Sequence, residues 1–263
     1  MRSSALALSL LAIVGIAGVV GGAGLSWAAG EQRTLKQPGW SFEGPFGLYD
    51  RDALRRGYQV YTEVCASCHS MRFLSYRNLG DEGGPAFSAE EVKALAAEHE
   101  VEDGPDQEGD MFTRPALPKD AFVSPFPNEQ AARVANGGAL PPDLSLVAKS
   151  YFDGSDYIYS LLTGYGEAAP EGVTVPGGQY YNPYFSGGLV AMAPPLSDEI
   201  VDYADGTPET VDQMARDVVQ FLTWAAEPKM EERKRIGFQV LIYLVILAGL
   251  FFFAMRKVWT DAH

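Results

Sequence analysis

The stretch "YTEVCASCHSM", residues 61–71, holds both cysteines of the chain, Cys65 and Cys68, and one of its three histidines, His69. A structural zinc site needs four ligands, but the other two histidines lie in an acidic run and at the last residue. A thioredoxin-like redox pair follows a strand, whereas the residues before Cys65 have helical spacing. Covalent haem uses two thioethers and an adjacent imidazole, which is the pattern found here. A structural CxxCH without a ligand is the remaining alternative.

The amino-terminal segment indicates an exported protein. Arg2 precedes an apolar run from Ala5 to about Gly24, and Ser26-Trp27-Ala28 resembles a signal-peptidase site, so residues 1–28 are predicted to be a cleaved signal peptide. The run is also long enough for an uncleaved anchor. In an exported protein the two cysteines would normally form a disulfide, but a loop this short constrains little chain entropy. Export therefore favours the haem interpretation.

The sequence "IGFQVLIYLVILAGLFFFAM", residues 236–255, has 20 residues and no charge. It is long enough to cross about 30 Å of hydrocarbon as a helix. Basic residues flank it on both sides, so the orientation follows from the predicted signal peptide instead. The predicted organisation is an exported domain over residues 29–228, a basic hinge at 229–235, a transmembrane helix at 236–255 and a cytoplasmic tail at 256–263.

Acidic residues outnumber basic residues by 34 to 20, which gives a net charge of −14 and disfavours nucleic acid as a partner. Seven carboxylates and no lysine or arginine lie between Glu98 and Asp110. Such a run is usually a solvated loop face. It would also steer a basic protein partner electrostatically.

The helical signals predict a mainly α fold. A helix is expected to begin at Asp50 and to lead to the CxxCH motif, and residues 88–100 form another, with a capping box at Ser88. A third is expected to start with Thr207 as N-cap and Pro208 in the first position. Much of the rest is rich in glycine and proline, and long irregular segments of this kind need an apolar body, such as a haem, to pack against.

A low-spin electron-transfer haem needs a second axial ligand, commonly methionine or histidine. Met192 lies in "GLVAMAPPLSD", where Pro194 and Pro195 stiffen the chain. Met111 ends the acidic run and is an alternative, whereas Met214 lies on a helix stripe where core filling is the usual role. An ordinary packing role for Met192 also fits the sequence.

Several further stretches occur in a fixed order: "RRGYQVYTEVCASCHSM", "NGGALPPDLS", "YIYSLLTGY", "YYNPYF", "MAPPLSD", "DGTPETVDQMARDV" and "WAAEPKMEERKRIGF". In these stretches the chain resembles the cytochrome c1 family, over nearly the whole exported body and the anchor. The resemblance implies one haem c bound through Cys65 and Cys68, with His69 as proximal and Met192 as distal iron ligand. The pocket residues that it implies are Asn136, Pro142, Tyr157, Leu161 and Phe185.

The resemblance implies a cytochrome c-like haem domain, mainly α with long irregular loops, and one C-terminal transmembrane helix. It implies a redox subunit of ubiquinol–cytochrome c oxidoreductase that breaks no substrate bond itself. The haem would take one electron from a Rieske iron–sulfur protein and pass it to a basic soluble or anchored cytochrome c. Its membrane partners would be cytochrome b and the Rieske protein, together in a dimeric complex. The expected location is the bacterial inner membrane, single-pass, with the haem domain on the periplasmic side.

The alternatives are an independent membrane-anchored monohaem cytochrome c and a haem-free membrane module that binds a metal or uses its thiols. The sequence also departs from the family pattern at two points. Where many relatives carry an arginine for a haem propionate, this chain has Tyr151, with Lys149 nearby. Some bacterial relatives have an additional cysteine pair near the haem, and because this chain has none, another constraint must hold the Met192 loop.

Overall fold

The computed structural model describes residues 33–261, so the predicted signal peptide lies outside the described residues. The helices are α1 (Arg51–Glu63), α2 (Ala89–Ala97), α3 (Glu129–Ala135), α4 (Val147–Ser150), α5 (Gly154–Leu162), α6 (Val211–Ala226) and α7 (Met230–Asp261). Two antiparallel hairpins pair β1 (Glu100–Asp103) with β2 (Phe112–Pro115) and β3 (Tyr180–Tyr181) with β4 (Leu189–Val190). Short 3-10 turns cover Cys65–Ser67 and Tyr76–Gly80. The mainly helical fold with long irregular loops is as predicted.

Helix α1 begins where the sequence predicts. The Asp50 carboxylate accepts hydrogen bonds from the backbone N–H groups of Asp52 and Ala53, which would otherwise be unpaired at the helix start. Leu54, Tyr58 and Tyr61 form its buried face and pack in the core. This packing fixes the end of α1, from which the CxxCH motif continues.

The core of the domain lies where α1 packs along α6. The two backbones approach closely at Gly57, since a Cβ atom added there would lie 2.1 Å from the carbonyl oxygen of Asp217. Beside this contact Arg56 Nε donates to Asp217 Oδ2 at 2.9 Å. Burial raises the pKa of the Asp217 carboxyl, and hydrogen bonds from Arg56 and Gln213 oppose that rise. A small residue and a buried ion pair therefore join the two helices.

The start of α6 corrects a prediction. Thr210, not Thr207, is the N-cap, and its hydroxyl accepts from the backbone N–H of Gln213 at 3.2 Å. The preceding residues are extended because they bond elsewhere: the Glu209 carbonyl oxygen accepts from Glu199 N–H at 2.8 Å. Pro208 is consequently outside the helix. Tertiary pairing with the loop around residue 199 overrides the local capping signal.

The acidic run also differs from its prediction. The capping box at Ser88 is confirmed, but α2 ends at Ala97, and the chain then enters the β1–β2 hairpin. Arg114 on β2 pairs with Asp103 on β1 and with Asp120, at 2.7 Å for the second pair. A basic residue from outside the run thus stabilises a hairpin, where the sequence had suggested a helix end and a loop.

Helix α7 is long and apolar enough to cross a membrane by its length and composition, and none of its most apolar 18-residue window is buried. It contains the predicted span at residues 236–255. Within the predicted hinge at 229–235, the chain is helical from Met230 onward. The apolar segment therefore continues directly from helical turns that touch the domain.

Candidate functional site

The CxxCH motif lies on a compact turn at the end of α1. The backbone N–H groups of Cys68 and His69 both donate to the Cys65 carbonyl oxygen, at 3.1 and 2.9 Å. Cys65 and Cys68 form no disulfide with each other, and both are partly buried. One short turn therefore presents two sulfur atoms and an imidazole, as the sequence predicts.

A main-chain oxygen holds the His69 ring. Its Nδ1 lies 2.8 Å from the carbonyl oxygen of Pro142, and because a carbonyl oxygen can only accept, Nδ1 carries the proton. The neutral ring then has its lone pair on Nε2. Burial lowers the pKa of His69, although the hydrogen bond to Pro142 opposes that shift. The imidazole is thereby kept neutral, with Nε2 available as a metal ligand.

Asp143, which the sequence analysis did not single out, ties the Pro142 loop to the segment after His69. Its Oδ2 accepts from Ser70 Oγ at 2.7 Å and from the backbone N–H of Arg72 at 3.0 Å. Burial would raise the pKa of this carboxyl, but these hydrogen bonds and those from Ser145 outweigh burial and lower it. Asp143 is part of the quoted "PPDLS" stretch, so that stretch could have pointed to it.

Met192 lies two residues beyond β4 and is half-buried. The Tyr165 hydroxyl donates a hydrogen bond to the Met192 carbonyl oxygen at 3.0 Å. Tyr165 follows α5 by three residues, so this bond joins the end of α5 to the Met192 loop. Tyr165 was not predicted, although it closes the quoted "YIYSLLTGY" stretch.

Asn182 makes the second connection between α5 and the β3–β4 hairpin. Its side chain is fully buried, and Nδ2 donates to the Leu161 carbonyl oxygen at 2.8 Å. Its Oδ1 accepts from the backbone N–H of Tyr184 at 3.1 Å. The contact requires glycine at position 164, where a Cβ atom would lie 2.5 Å from the Tyr184 ring. Tyr165 and Asn182 together tie the end of α5 to the Met192 loop and to the hairpin that precedes it.

The remaining predicted pocket residues fall into two groups. Tyr157 and Leu161 on α5 are half-buried, as is Phe185 in the turn of the β3–β4 hairpin. Asn136 ends α3 and donates through Nδ2 to the carbonyl oxygen of Ala132 at 2.7 Å, so its amide serves its own helix. A hydrogen bond joins His69 to Pro142, and Asn182 is hydrogen-bonded to both Leu161 and Phe185. No hydrogen bond among the described residues joins Asn136 to these pocket residues.

Tyr151 occupies the position at which the resemblance implies an arginine. Its ring packs on Tyr157 with a centroid distance of 4.4 Å. Lys149 is paired with Glu227, with Nζ 3.7 Å from the carboxylate. The position therefore carries an aromatic contact to the predicted pocket, and the neighbouring cation is directed to the end of α6.

Helix α4 connects the two sides of the site. It begins four residues after Asp143 and packs against α5 and α6. Helix α5 carries Leu161 and leads to Tyr165, which bonds the Met192 loop. A continuous series of packed elements thus runs from the His69 side to the Met192 side.

The residues fit a covalently held apolar cofactor better than a zinc site or a redox-active thiol pair. Among residues 33–261, no cluster of three or more His, Cys, Asp or Glu side chains is placed to hold a metal ion. Burial, with a smaller contribution from Cys68, raises the pKa of Cys65 to about 12, so its thiol is neutral and unsuited to act as a thiolate. A helix, not a strand, precedes the motif. Uncharged thioethers and the half-buried apolar side chains of Tyr157 and Leu161 suit a haem.

Comparison with known proteins agrees with this geometry. The model of the Cytochrome C1 family matches residues 40–262. "Cytochrome c1-2, heme protein, mitochondrial" of Solanum tuberosum is 52% identical, over 88% of this chain and 88% of its own length. "Cytochrome c1" of Rhodospirillum rubrum is 44% identical, over 95% of this chain and 96% of its own.

A third relative, "Cytochrome b/c1" of Bradyrhizobium diazoefficiens, is 51% identical over 96% of this chain. This chain spans 40% of the length of that protein. The match to the family model spans the CxxCH turn, the Met192 loop and the apolar helix. The chain belongs to the cytochrome c1 family.

Proposed function

We propose that this chain is the electron-transfer subunit of a ubiquinol–cytochrome c oxidoreductase. In this role it takes one electron from a Rieske iron–sulfur protein and passes it to a soluble cytochrome c. It is a redox subunit and breaks no substrate bond itself. The observation that carries the proposal is the hydrogen bond from His69 to the Pro142 carbonyl oxygen, with Cys65 and Cys68 on the same turn.

Proteins of this family bind haem c covalently, and we assign its attachment here to Cys65 and Cys68. His69 would be the proximal ligand through Nε2, and Met192 the distal ligand through its thioether. When bound, the haem supplies an iron that alternates between ferric and ferrous, and a methionine ligand raises its reduction potential. Tyr157, Leu161 and Phe185 would exclude water from the ring, which supports the same redox function.

The surrounding residues keep the two ligands in place. Pro142 fixes the His69 tautomer, and Asp143 holds Pro142 close to the CxxCH turn. The Tyr165 hydroxyl orients the main chain at Met192. A weak thioether ligand depends on such support because its own bond to iron adds little rigidity.

The membrane assignment follows from α7. The apolar helix supports a single-pass membrane protein, and the haem domain would lie on the periplasmic side of a bacterial inner membrane. One relative's name combines cytochrome b with c1, which supports cytochrome b as a membrane partner. A Rieske protein and a dimeric assembly complete the proposed complex.

The β1–β2 hairpin is the proposed docking face for a basic cytochrome c. Its exposed carboxylates include Glu102, Glu108 and Asp110, whereas Asp103 forms an ion pair with Arg114. Exposed charges of one sign increase the association rate of an oppositely charged partner and lose that effect as salt rises.

The first experiment compares visible and redox spectra of the purified membrane protein with those of Met192→Leu. A covalent c-type haem of high potential is expected in the wild type, and the variant should lose on the order of hundreds of millivolts. Met111→Leu is the matched control, because Met111 is exposed and was the alternative ligand. An unchanged Met192→Leu potential together with a lowered Met111→Leu potential would reverse the distal assignment. A wild type without covalent haem would overturn the function.

A second experiment identifies the assembly. Purification in mild detergent should recover a cytochrome b and a Rieske protein together with this chain. Elution of a haem-bearing chain without either of them would favour an independent membrane-anchored cytochrome c.

The docking face is tested by charge. The triple variant Glu102→Gln, Glu108→Gln and Asp110→Asn should slow electron transfer to cytochrome c at low salt and flatten its dependence on ionic strength. A control with the same change in net charge replaces three exposed carboxylates outside the hairpin, those of Glu82, Glu90 and Glu171, by glutamine. Equal effects of the two triple variants would show that net charge, and not this hairpin, steers the partner.

A further inference from the structure

The loop at residues 42–48 is fastened to the first turns of α7. Lys234 Nζ donates hydrogen bonds to two carbonyl oxygens of the loop, those of Phe42 and Gly47. The Phe46 ring packs edge-to-face on Phe238, with ring centroids 5.7 Å apart and an interplanar angle of 72°. A polar clamp and an aromatic contact therefore hold the loop against the helix at two heights.

Large apolar side chains of this loop point away from the domain. Phe46 is 73% exposed and Leu48 is 57% exposed, although the domain has an apolar core nearby that includes Trp40 and Tyr49. A cleft of about 300 Å³ opens between the loop and the helix, lined by Phe46, Leu48 and Phe238 among others. Apolar side chains grouped in this way on a surface usually mark a contact with a partner or a membrane.

The position of Phe238 sets the depth of the loop. Phe238 is the third residue of the uncharged run 236–255. With a rise of about 1.5 Å per residue, its Cα lies about 3 Å past the start of that run. The run as a whole has the length of the hydrocarbon core, so its first turn lies at the boundary between hydrocarbon and headgroups. A ring in contact with Phe238 lies at that same boundary, where aromatic side chains are favoured.

Charge at the same level fits phospholipid. Arg233, Lys234 and Arg235 precede the span directly, and Arg235 lines the cleft beside Phe46. Cations at this height lie level with lipid phosphate groups, while Phe46 and Leu48 lie level with the upper acyl chains. Basic and apolar side chains therefore follow each other in the same order as the phosphate and acyl-chain layers of a bilayer.

We propose that residues 45–48 form a second membrane contact, which inserts Phe46 and Leu48 into the phospholipid interface beside the span. The occupant of the cleft is then lipid, with its phosphate near Arg235 and an acyl chain against Phe46. The contact fixes the height and tilt of the domain above the bilayer, because the loop is tied to α7 through Lys234. It depends on the span in α7 and not on the haem ligands.

The test measures the depth of a nitroxide label in the full-chain holoprotein, purified with its associated subunits. The protein is placed in nanodiscs of phosphatidylcholine and phosphatidylglycerol. Phe46→Cys and, separately, Leu48→Cys receive the label, and collision rates with oxygen and with a water-soluble nickel chelate are compared. Both positions are exposed, and both variants retain the hydrogen bonds from Lys234 that hold the loop on α7.

Two labelled controls define the scale. Val245→Cys reports the middle of the span, where the side chain is exposed on the helix. Ile200→Cys serves as the control for a label in water, because Ile200 is exposed and lies beside the start of α6. There the Val211 N–H donates a hydrogen bond to Asp198 Oδ1 at 2.8 Å. The start of α6 lies about 24 Å along the helix from its other end, which leads into α7.

The ratio of oxygen to nickel collisions at Phe46 and Leu48 is expected to be several-fold higher than at Ile200 and below that at Val245. A ratio equal to that at Ile200 would overturn the proposal, since the loop would then be in water. A label shielded from both reagents and immobilised would also overturn it, because protein and not lipid would cover the loop.

Discussion

The hydroxyl of Tyr165 donates a hydrogen bond of 3.0 Å to the carbonyl oxygen of Met192. Burial raises the pKa of Tyr165 well above that of a free tyrosine, so the hydroxyl stays protonated as a donor. The bond fixes the main chain of the residue proposed as the distal ligand without using its side chain. It joins two loops that are 27 residues apart in the sequence.

Tyr165→Phe removes that bond and retains the ring. Loss of a hydrogen bond of this type costs about 1 kcal/mol of folding free energy. The Met192 loop should then move more freely, which weakens the methionine–iron bond and lowers the reduction potential. The measurement is redox titration with the absorption band that reports methionine ligation in the oxidised protein. Tyr180→Phe is the control, because Tyr180 is an exposed tyrosine on β3. Equal spectra and potentials for all three proteins would contradict the proposed role.

Asn182→Ala leaves the Leu161 carbonyl oxygen and the Tyr184 N–H without their buried partner. Unpaired buried polar groups cost about 1–3 kcal/mol, so the denaturation midpoint of the holoprotein should fall. Gln179→Ala, an exposed residue just before β3, should leave the midpoint unchanged. A variant as stable as the wild type would show that water replaces the side chain.

Gly57→Ala places a Cβ atom 2.1 Å from the carbonyl oxygen of Asp217, so α1 and α6 must separate. Overpacking of this kind typically costs about 1–3 kcal/mol, and the CxxCH turn at the end of α1 should move with the helix. Thermal unfolding and the yield of attached haem are the readouts. Gly177→Ala meets nothing within 4 Å and serves as the control. Normal stability of Gly57→Ala would mean that the helix crossing is looser than described.

The Asp120–Arg114 pair should make the β1–β2 hairpin sensitive to acid. Hydrogen bonds from Arg114 and from the Leu117 N–H lower the pKa of Asp120 from 3.8 to about 2. A lowered carboxyl pKa adds stability above the unfolded value, and that stability is lost as pH falls through the folded value. Asp120→Asn should therefore be less stable than the wild type at pH 6, and the difference should shrink below about pH 4. Denaturant unfolding at several pH values measures this difference.

Asp202→Asn provides the comparison for that pH series, since Asp202 is exposed on a separate loop. Its stability should follow the wild type at each pH. If the difference in unfolding free energy between the wild type and Asp120→Asn is the same at pH 6 and below about pH 4, the ion pair does not stabilise the hairpin.

The features that the sequence predicted are those with local causes. The Asp50 cap and the Ser88 capping box each depend on groups within three residues, and the apolar run of α7 depends on composition alone. The CxxCH turn is equally local. Assignment of Met192 as a ligand needed the family resemblance and stays a prediction.

The features that the sequence did not predict depend on distant partners. Thr210 replaces Thr207 as the cap of α6 because the preceding segment pairs with Glu199. The acidic run forms a hairpin because Arg114 reaches across from β2 to Asp103. Neither partner can be identified from spacing. Tyr165 lay inside a quoted stretch, but only the fold shows that its hydroxyl meets Met192.

The acceptor that holds His69 belongs to the main chain, and this has a genetic consequence. Every amino acid at position 142 carries the same carbonyl oxygen, so no single substitution can delete it. Substitutions can only displace it, by changing the backbone restraint of Pro142 or by removing the carboxylate of Asp143. A saturation scan of the loop should consequently find graded effects at 142 and a sharper loss at 143. A point mutation therefore cannot remove the carbonyl oxygen that orients His69, but it can change Pro142 and Asp143, which position that oxygen.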